Sequence, residues 1–118
     1  MRILYVTYQR YRSSGVSVWC IEMCEKLLGL GHFVKLALQE PNYRDPYPIK
    51  HKELLTTTDE AIAGFDAAHW DLVHINGVWN WPYHQIAALA RNRGIPIVWS
   101  PHGSLTPWAM GHKRMKKL

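Results

Sequence analysis

The chain opens on an apolar, β-branched run, residues 2–7 (RILYVT), which predicts a strand starting almost at Met1. A polar stretch from Tyr8 to Ser14 follows, then Gly15. From there the apolar positions recur at Val16, Cys20, Met23, Leu27 and Leu30. Those spacings mark one buried face of a helix, with Glu22, Glu25 and Lys26 on the other side and Gly31 as its stop. Phe33 to Leu38 predicts a second short strand. Pro41, Pro46 and Pro48, with Asn42 and Asp45 between them, turn Gln39 to Lys52 into a long irregular connection with room for a small hairpin. Asp59 to Ala68 predicts a short helix, Asp71 to Ile75 a strand, and Asn76 to Pro82 a loop. Tyr83 to Arg93 predicts a helix that turns Ile86, Ala87, Leu89 and Ala90 inward and ends at Gly94. Ile95 to Trp99 is the next strand and Ser100 to Thr106 a loop. Thr106-Pro107 then opens a helix, with Thr as its cap and Pro at its first position.

Short strands, apolar on both faces and separated by helical lengths, imply an α/β fold: a Rossmann-like parallel sheet with helices on both faces. In such folds ligands sit beyond the carboxyl ends of the strands, where strand order reverses. Three loops leave those ends, Tyr8–Gly15, Asn76–Pro82 and Ser100–Thr106, and the fold class puts them on one rim. The last predicted helix is still running at Leu118, so the 118 residues read as a single domain, the front part of something larger.

Composition narrows the function. With 47% hydrophobic and 19% charged residues, the chain can bury a core. Its longest apolar runs are a handful of residues, too short for a membrane-spanning helix, and Gln9, Arg10 and Arg12 follow the first run without a small-residue cleavage site. The net charge of +5 is uneven. Without Lys113, Arg114, Lys116 and Lys117 the 14 basic residues fall to 10 against 9 acidic ones, or +1. A broad basic face for nucleic acid is therefore not expected. The basic run reads either as a solvated helix end or as a contact for an anionic membrane surface. Cys20 and Cys24 form no disulfide framework and no zinc spacing, and read as buried hydrophobes in a reducing cytoplasm.

Candidate chemistry gathers in the three rim loops. The single glycine of SSGVS is either a tight strand-to-helix turn or a place where backbone N–H groups approach an anion or a sugar. In NGVWNWPYH, Trp79 and Trp81 either stack on sugar faces or pack against a neighbour, while His74 reads as a hydrogen-bonded core histidine. In SPHGSLTPW, His102 follows a strand and a proline, and Gly103 removes bulk beside it. An imidazole there can donate to a sugar hydroxyl or a phosphate oxygen, or serve structure alone. No acidic pair follows a strand, which disfavours Mg²⁺-dependent phosphoryl transfer. No GxSxG nucleophile turn and no HExxH metal spacing occurs.

The ordered set MRILYVT, the glycine loop, LGHFVKLAL, DLVHINGVW and GIPIVWSPHGSLTPWAMGHKRMKK resembles the N-terminal domain of GT-B-fold glycosyltransferases of family 4. The resemblance covers nearly the whole chain apart from the Pro-rich segment 39–58. It implies a retaining transferase that moves a sugar from a nucleotide-sugar donor to an acceptor hydroxyl, with this domain on the acceptor side of an interdomain cleft. By match to the SPHG turn, His102 would contact the donor sugar near the reaction centre, with Gly103 beside it. By match to the first glycine loop, Gly15 would lie against the donor diphosphate or the acceptor. Asn76, Gly77 and Trp79 would line the acceptor side.

The resemblance implies no cofactor and no metal, since the nucleotide-sugar is a substrate. It implies a sugar or lipid-linked acceptor, and the charge leaves no nucleic-acid partner expected. The expected location is the cytoplasm, with peripheral contact at the inner membrane face through the basic run. Two departures matter. Ser14-Gly15 stands where the family commonly carries two adjacent glycines. The donor-binding second domain, with its basic residues and paired glutamates, is not in these residues and would act in cis or in trans. The alternatives are a non-catalytic sugar- or nucleotide-binding module that docks to a separate donor-domain chain, and an unrelated flavodoxin-like or nucleotide-binding domain, against which SPHGSLTPW argues.

Overall fold

A computed structural model describes residues 1–8, 15–39, 48–77 and 80–100, and of residues 15–17 the backbone alone. Its elements are β1 (Arg2–Thr7), α1 (Gly15–Gly29), β2 (Phe33–Leu38), a 3₁₀ turn at Lys52–Leu54, β3 (Leu55–Thr57), α2 (Thr58–Ala63), α3 (Phe65–Ala68), β4 (Leu72–Asn76), α4 (Trp81–Asn92) and β5 (Ile97–Ser100). The strands form one sheet in the order β3-β2-β1-β4-β5, parallel throughout. This is a Rossmann-like α/β arrangement, as the alternation of elements predicts.

Both faces of the sheet are apolar because each strand alternates between two cores. Ile3 and Tyr5 of β1, with Val34, Leu36 and Leu38 of β2, pack against Cys20, Ile21 and Cys24 of α1. Leu4 and Val6, with Val73 and Ile75 of β4, pack against Phe65 of α3 and Tyr83, Ile86, Ala87 and Ala90 of α4. The chain runs outward from β1 through β2 to β3, then crosses back to β4 on the other side of β1. The reversal of direction thus falls between β1 and β4.

Among the described residues five strands appear where the pattern predicts four. Leu55–Thr57 joins the edge through Leu36↔Leu55 to Leu38↔Thr57, a three-residue pairing too short to leave a period in the sequence. The helix expected over Asp59–Ala68 is two pieces, because Gly64 ends α2 by donating to the Glu60 carbonyl at 2.9 Å and starts α3. Leu30 is exposed, since α1 has ended before it. Ile21 is buried in its place, which turns the helix face toward Cys20, Ile21 and Cys24. β5 begins at Ile97 rather than Ile95, because the Ile95 N–H still closes the helix end on the Ala90 carbonyl at 2.9 Å. The expected hairpin region falls partly, and the helix from Thr106-Pro107 wholly, outside the described residues. Among the described residues no helix is long and apolar enough to cross a membrane.

Candidate functional site

The level register of the parallel strands brings Thr7, Leu38, Asn76 and Ser100 to one edge of the sheet. That edge, at the reversal between β1 and β4, is where a doubly wound sheet opens its crevice. α1 starts at Gly15 after the β1 loop, and α4 starts at Trp81 after the β4 loop.

Asn76 is buried, and its Nδ2 donates to the Val6 carbonyl at 3.2 Å. An amide that bridges β1 and β4 fixes the width of the crevice floor. Gly77 follows at φ +119°, in the region that favours glycine. A Cβ at that position would meet Cε2 of the buried Tyr83 at 2.8 Å. Its N–H donates to the Ser100 carbonyl at 2.9 Å, tying the exit of β4 to the exit of β5. The Tyr83 hydroxyl bonds the side chain of Asn80, although burial still pushes its pKa up to about 12. Asn80 precedes α4 without capping it, so the first turn is set by Pro82 and by the Tyr83 N–H donating to the Asn80 carbonyl at 3.2 Å.

His74 is a half-buried core histidine, as its place in a strand predicts. Its Nε2 shares a hydrogen bond with Ser100 Oγ at 2.7 Å, and its ring lies 4.6 Å from Tyr5 and 5.5 Å edge-on from Trp19. Ser100 is therefore gripped at its carbonyl by Gly77 and at its hydroxyl by His74, immediately before the PHG sequence. Sequence reasoning missed Ser100 as a structural anchor and Tyr83 as the wall behind Gly77. A side chain's cross-strand partner leaves no mark on its neighbours in the chain.

Trp81 is 72% exposed in the first turn of α4, so its indole is not packed into the sheet. Tyr8, just past β1, is also exposed. Cys20 and Cys24 are fully buried on α1. Burial pushes the Cys20 thiol up to about 12, against a hydrogen bond from Thr7 that lowers it, and burial raises Cys24 as well.

The structure brings Gly15, Asn76 and Gly77 to the same rim. Trp79, His102, Gly103 and the basic residues Lys113, Arg114, Lys116 and Lys117 lie outside the described residues. Among the described residues no group of three or more His, Cys, Asp or Glu side chains is placed to hold a metal ion. Comparison with protein-family models, with curated proteins and with solved structures finds no match to this chain.

Proposed function

We propose that this chain is the N-terminal, acceptor-side domain of a retaining GT-B-fold glycosyltransferase of family 4. It would help transfer a sugar from a nucleotide-sugar donor to the hydroxyl of a sugar or lipid-linked acceptor, in the cytoplasm or at the inner membrane face. The reading rests on the ordered motifs from MRILYVT to SPHGSLTPW. The observation that supports it is their meeting point, since the loops after β1, β4 and β5 leave the same edge at the reversal of strand order.

In this reading His102 touches the donor sugar, and Gly15 offers backbone N–H groups at the start of α1 to the diphosphate or the acceptor. Gly103 lies beside His102, and Asn76, Gly77 and Trp79 line the acceptor side. Trp81 presents a flat indole face at the rim, the type of surface on which a sugar ring stacks. Cations for the departing diphosphate come from a second domain, in cis or in trans.

Residue-resolved NMR on the full chain tests the proposal. Nucleoside diphosphate sugars should shift the amides of Thr7, Gly77 and Ser100 saturably, and more than the bare sugar does. Absence of any rim shift with a panel of donors and acceptors would sink it. The coding sequence past codon 118 gives an independent check. The expected frame continues into a second Rossmann-like domain with paired glutamates, and a stop codon would shift the reading to a binding module.

A further inference from the structure

The face of the sheet that α2 and α3 cover carries an anomaly at its amino-terminal edge. Along β1 and β2 the inward positions read Arg2, Leu4 and Val6, and Phe33, Lys35 and Ala37. Deeper in, these positions hold core side chains. At the edge two of them are cations, both half-buried. A charge turned toward a core is costly unless it is paired, yet among the described residues no carboxylate pairs with either cation.

The two side chains are held in place without being used up. The Arg2 guanidinium lies 4.0 Å from the Phe33 ring and 5.8 Å from Trp70, and its Nε donates to the Ala68 carbonyl at 2.5 Å. Its two Nη groups keep a planar fork of donors, the shape that matches a carboxylate. Lys35 Nζ donates to the Glu53 carbonyl and retains further donors. Asp71 Oδ2 accepts the Arg2 backbone N–H at 2.7 Å rather than the guanidinium.

Both cations line one cavity of about 180 Å³ with Phe33, Thr56, Glu60 and Trp70. Trp70 is 7% exposed, and its indole N–H is buried without an acceptor among the described residues. Glu60 Oε2 accepts from Thr56 Oγ1 at 2.9 Å, so a carboxylate and a hydroxyl line the same groove as the cations. Two cations and one carboxylate leave one positive charge, which a monoanion balances and a dianionic phosphate overshoots.

We propose that this open groove binds a small hydroxy- or amino-carboxylate. Its carboxylate would meet Arg2 and Lys35, and its hydroxyl or amine would meet Glu60 and Thr56. Arg2 and Phe33 stand at the amino-terminal end of the strands and Thr56 is level with Ala37, and the site does not depend on the glycosyl-transfer reading.

The test is NMR titration of the full chain with L-lactate, L-alanine and acetate, against sodium chloride at matched ionic strength. The expected result is a saturable shift of the Arg2 Nε–H and of the amides near Lys35, Glu60 and Trp70. Lactate or alanine should bind more tightly than acetate, and Lys35→Met should weaken binding about tenfold. If Lys35→Met does not fold, Arg2→Lys, which keeps the charge and loses the fork, carries the comparison. Three results would overturn the proposal: no saturable shift beyond chloride, acetate binding as tightly as lactate and alanine, or unchanged affinity in the folded variant. Because this titration reads Arg2, Lys35, Glu60 and Trp70 with small carboxylates, and the rim experiment reads Thr7, Gly77 and Ser100 with nucleotide-sugars, either can fail without the other.

Discussion

At Gly77 the backbone leaves β4 with φ +119°, and the Tyr83 ring fills the space where a side chain would begin. Gly77→Ala therefore combines an unfavourable backbone conformation with a collision against a buried ring. We expect a loss of ~2 kcal/mol or more, seen as a lower urea midpoint with an unchanged slope. The same residue was legible in NGVW only as a loop glycine, because the ring that makes it necessary lies on α4. The two thiols give a complementary prediction. Cys20 is pushed up to about 12 and Cys24 is raised too, both mainly by burial, so neither supplies thiolate near neutral pH. A thiol reagent at mildly alkaline pH should label the native chain at least about a hundredfold more slowly than the urea-unfolded chain. Rapid native labelling would show that α1 does not stay packed against the sheet.

At the scale of elements, turn and cap chemistry decides boundaries that periodicity leaves loose. α2 begins one residue before the Asp59 suggested by its sequence, because the Thr57 hydroxyl accepts the Glu60 N–H at 3.1 Å. Thr57→Ala should cost about 1 kcal/mol in a denaturation experiment. Glu25 ties the connection before β3 to α1. It accepts from the Lys50 and His51 backbone N–H groups at 3.1 and 3.2 Å, and its Oε2 lies 2.6 Å from His51 Nδ1. Partial burial alone would raise its carboxyl, but these hydrogen bonds outweigh burial and hold it below the ordinary value of 4.5.

A carboxyl lowered in the folded state adds stability above that ordinary value and loses it as the pH falls through the folded value. Glu25→Gln should therefore weaken the chain at neutral pH, by no more than about 1 kcal/mol after solvent screening. The gap between variant and parent should narrow in urea melts at about pH 3. A constant gap would place the effect in packing rather than in charge. None of this was readable from Glu25 alone, which looked like part of a solvated helix face. Its partners are more than twenty residues away in the chain.

At the scale of the molecule, the proposed function makes a prediction of absence. If the groups that stabilise a departing diphosphate belong to a second domain, the purified 118 residues should not transfer sugar from any donor. Measurable turnover in a radiolabelled-donor assay would show that the chain's own rim suffices. The sequence by itself determined the α/β class and the parallel sheet, because apolar runs alternating with helical periods are local facts. It also determined the grouping of the three loops on one rim, because parallel strands send every exit loop to the same edge. It named Gly15, Asn76 and Gly77 as rim residues for that reason. Only the tertiary structure decided that Asn76 reaches back to β1, that Tyr83 stands behind Gly77, and that His74 and Gly77 hold Ser100 from two sides. Only the tertiary structure decided that Arg2 and Lys35 share a cavity with Glu60. Each of these depends on which strands are neighbours and in what register. That choice is made by the whole core at once rather than by any stretch of chain.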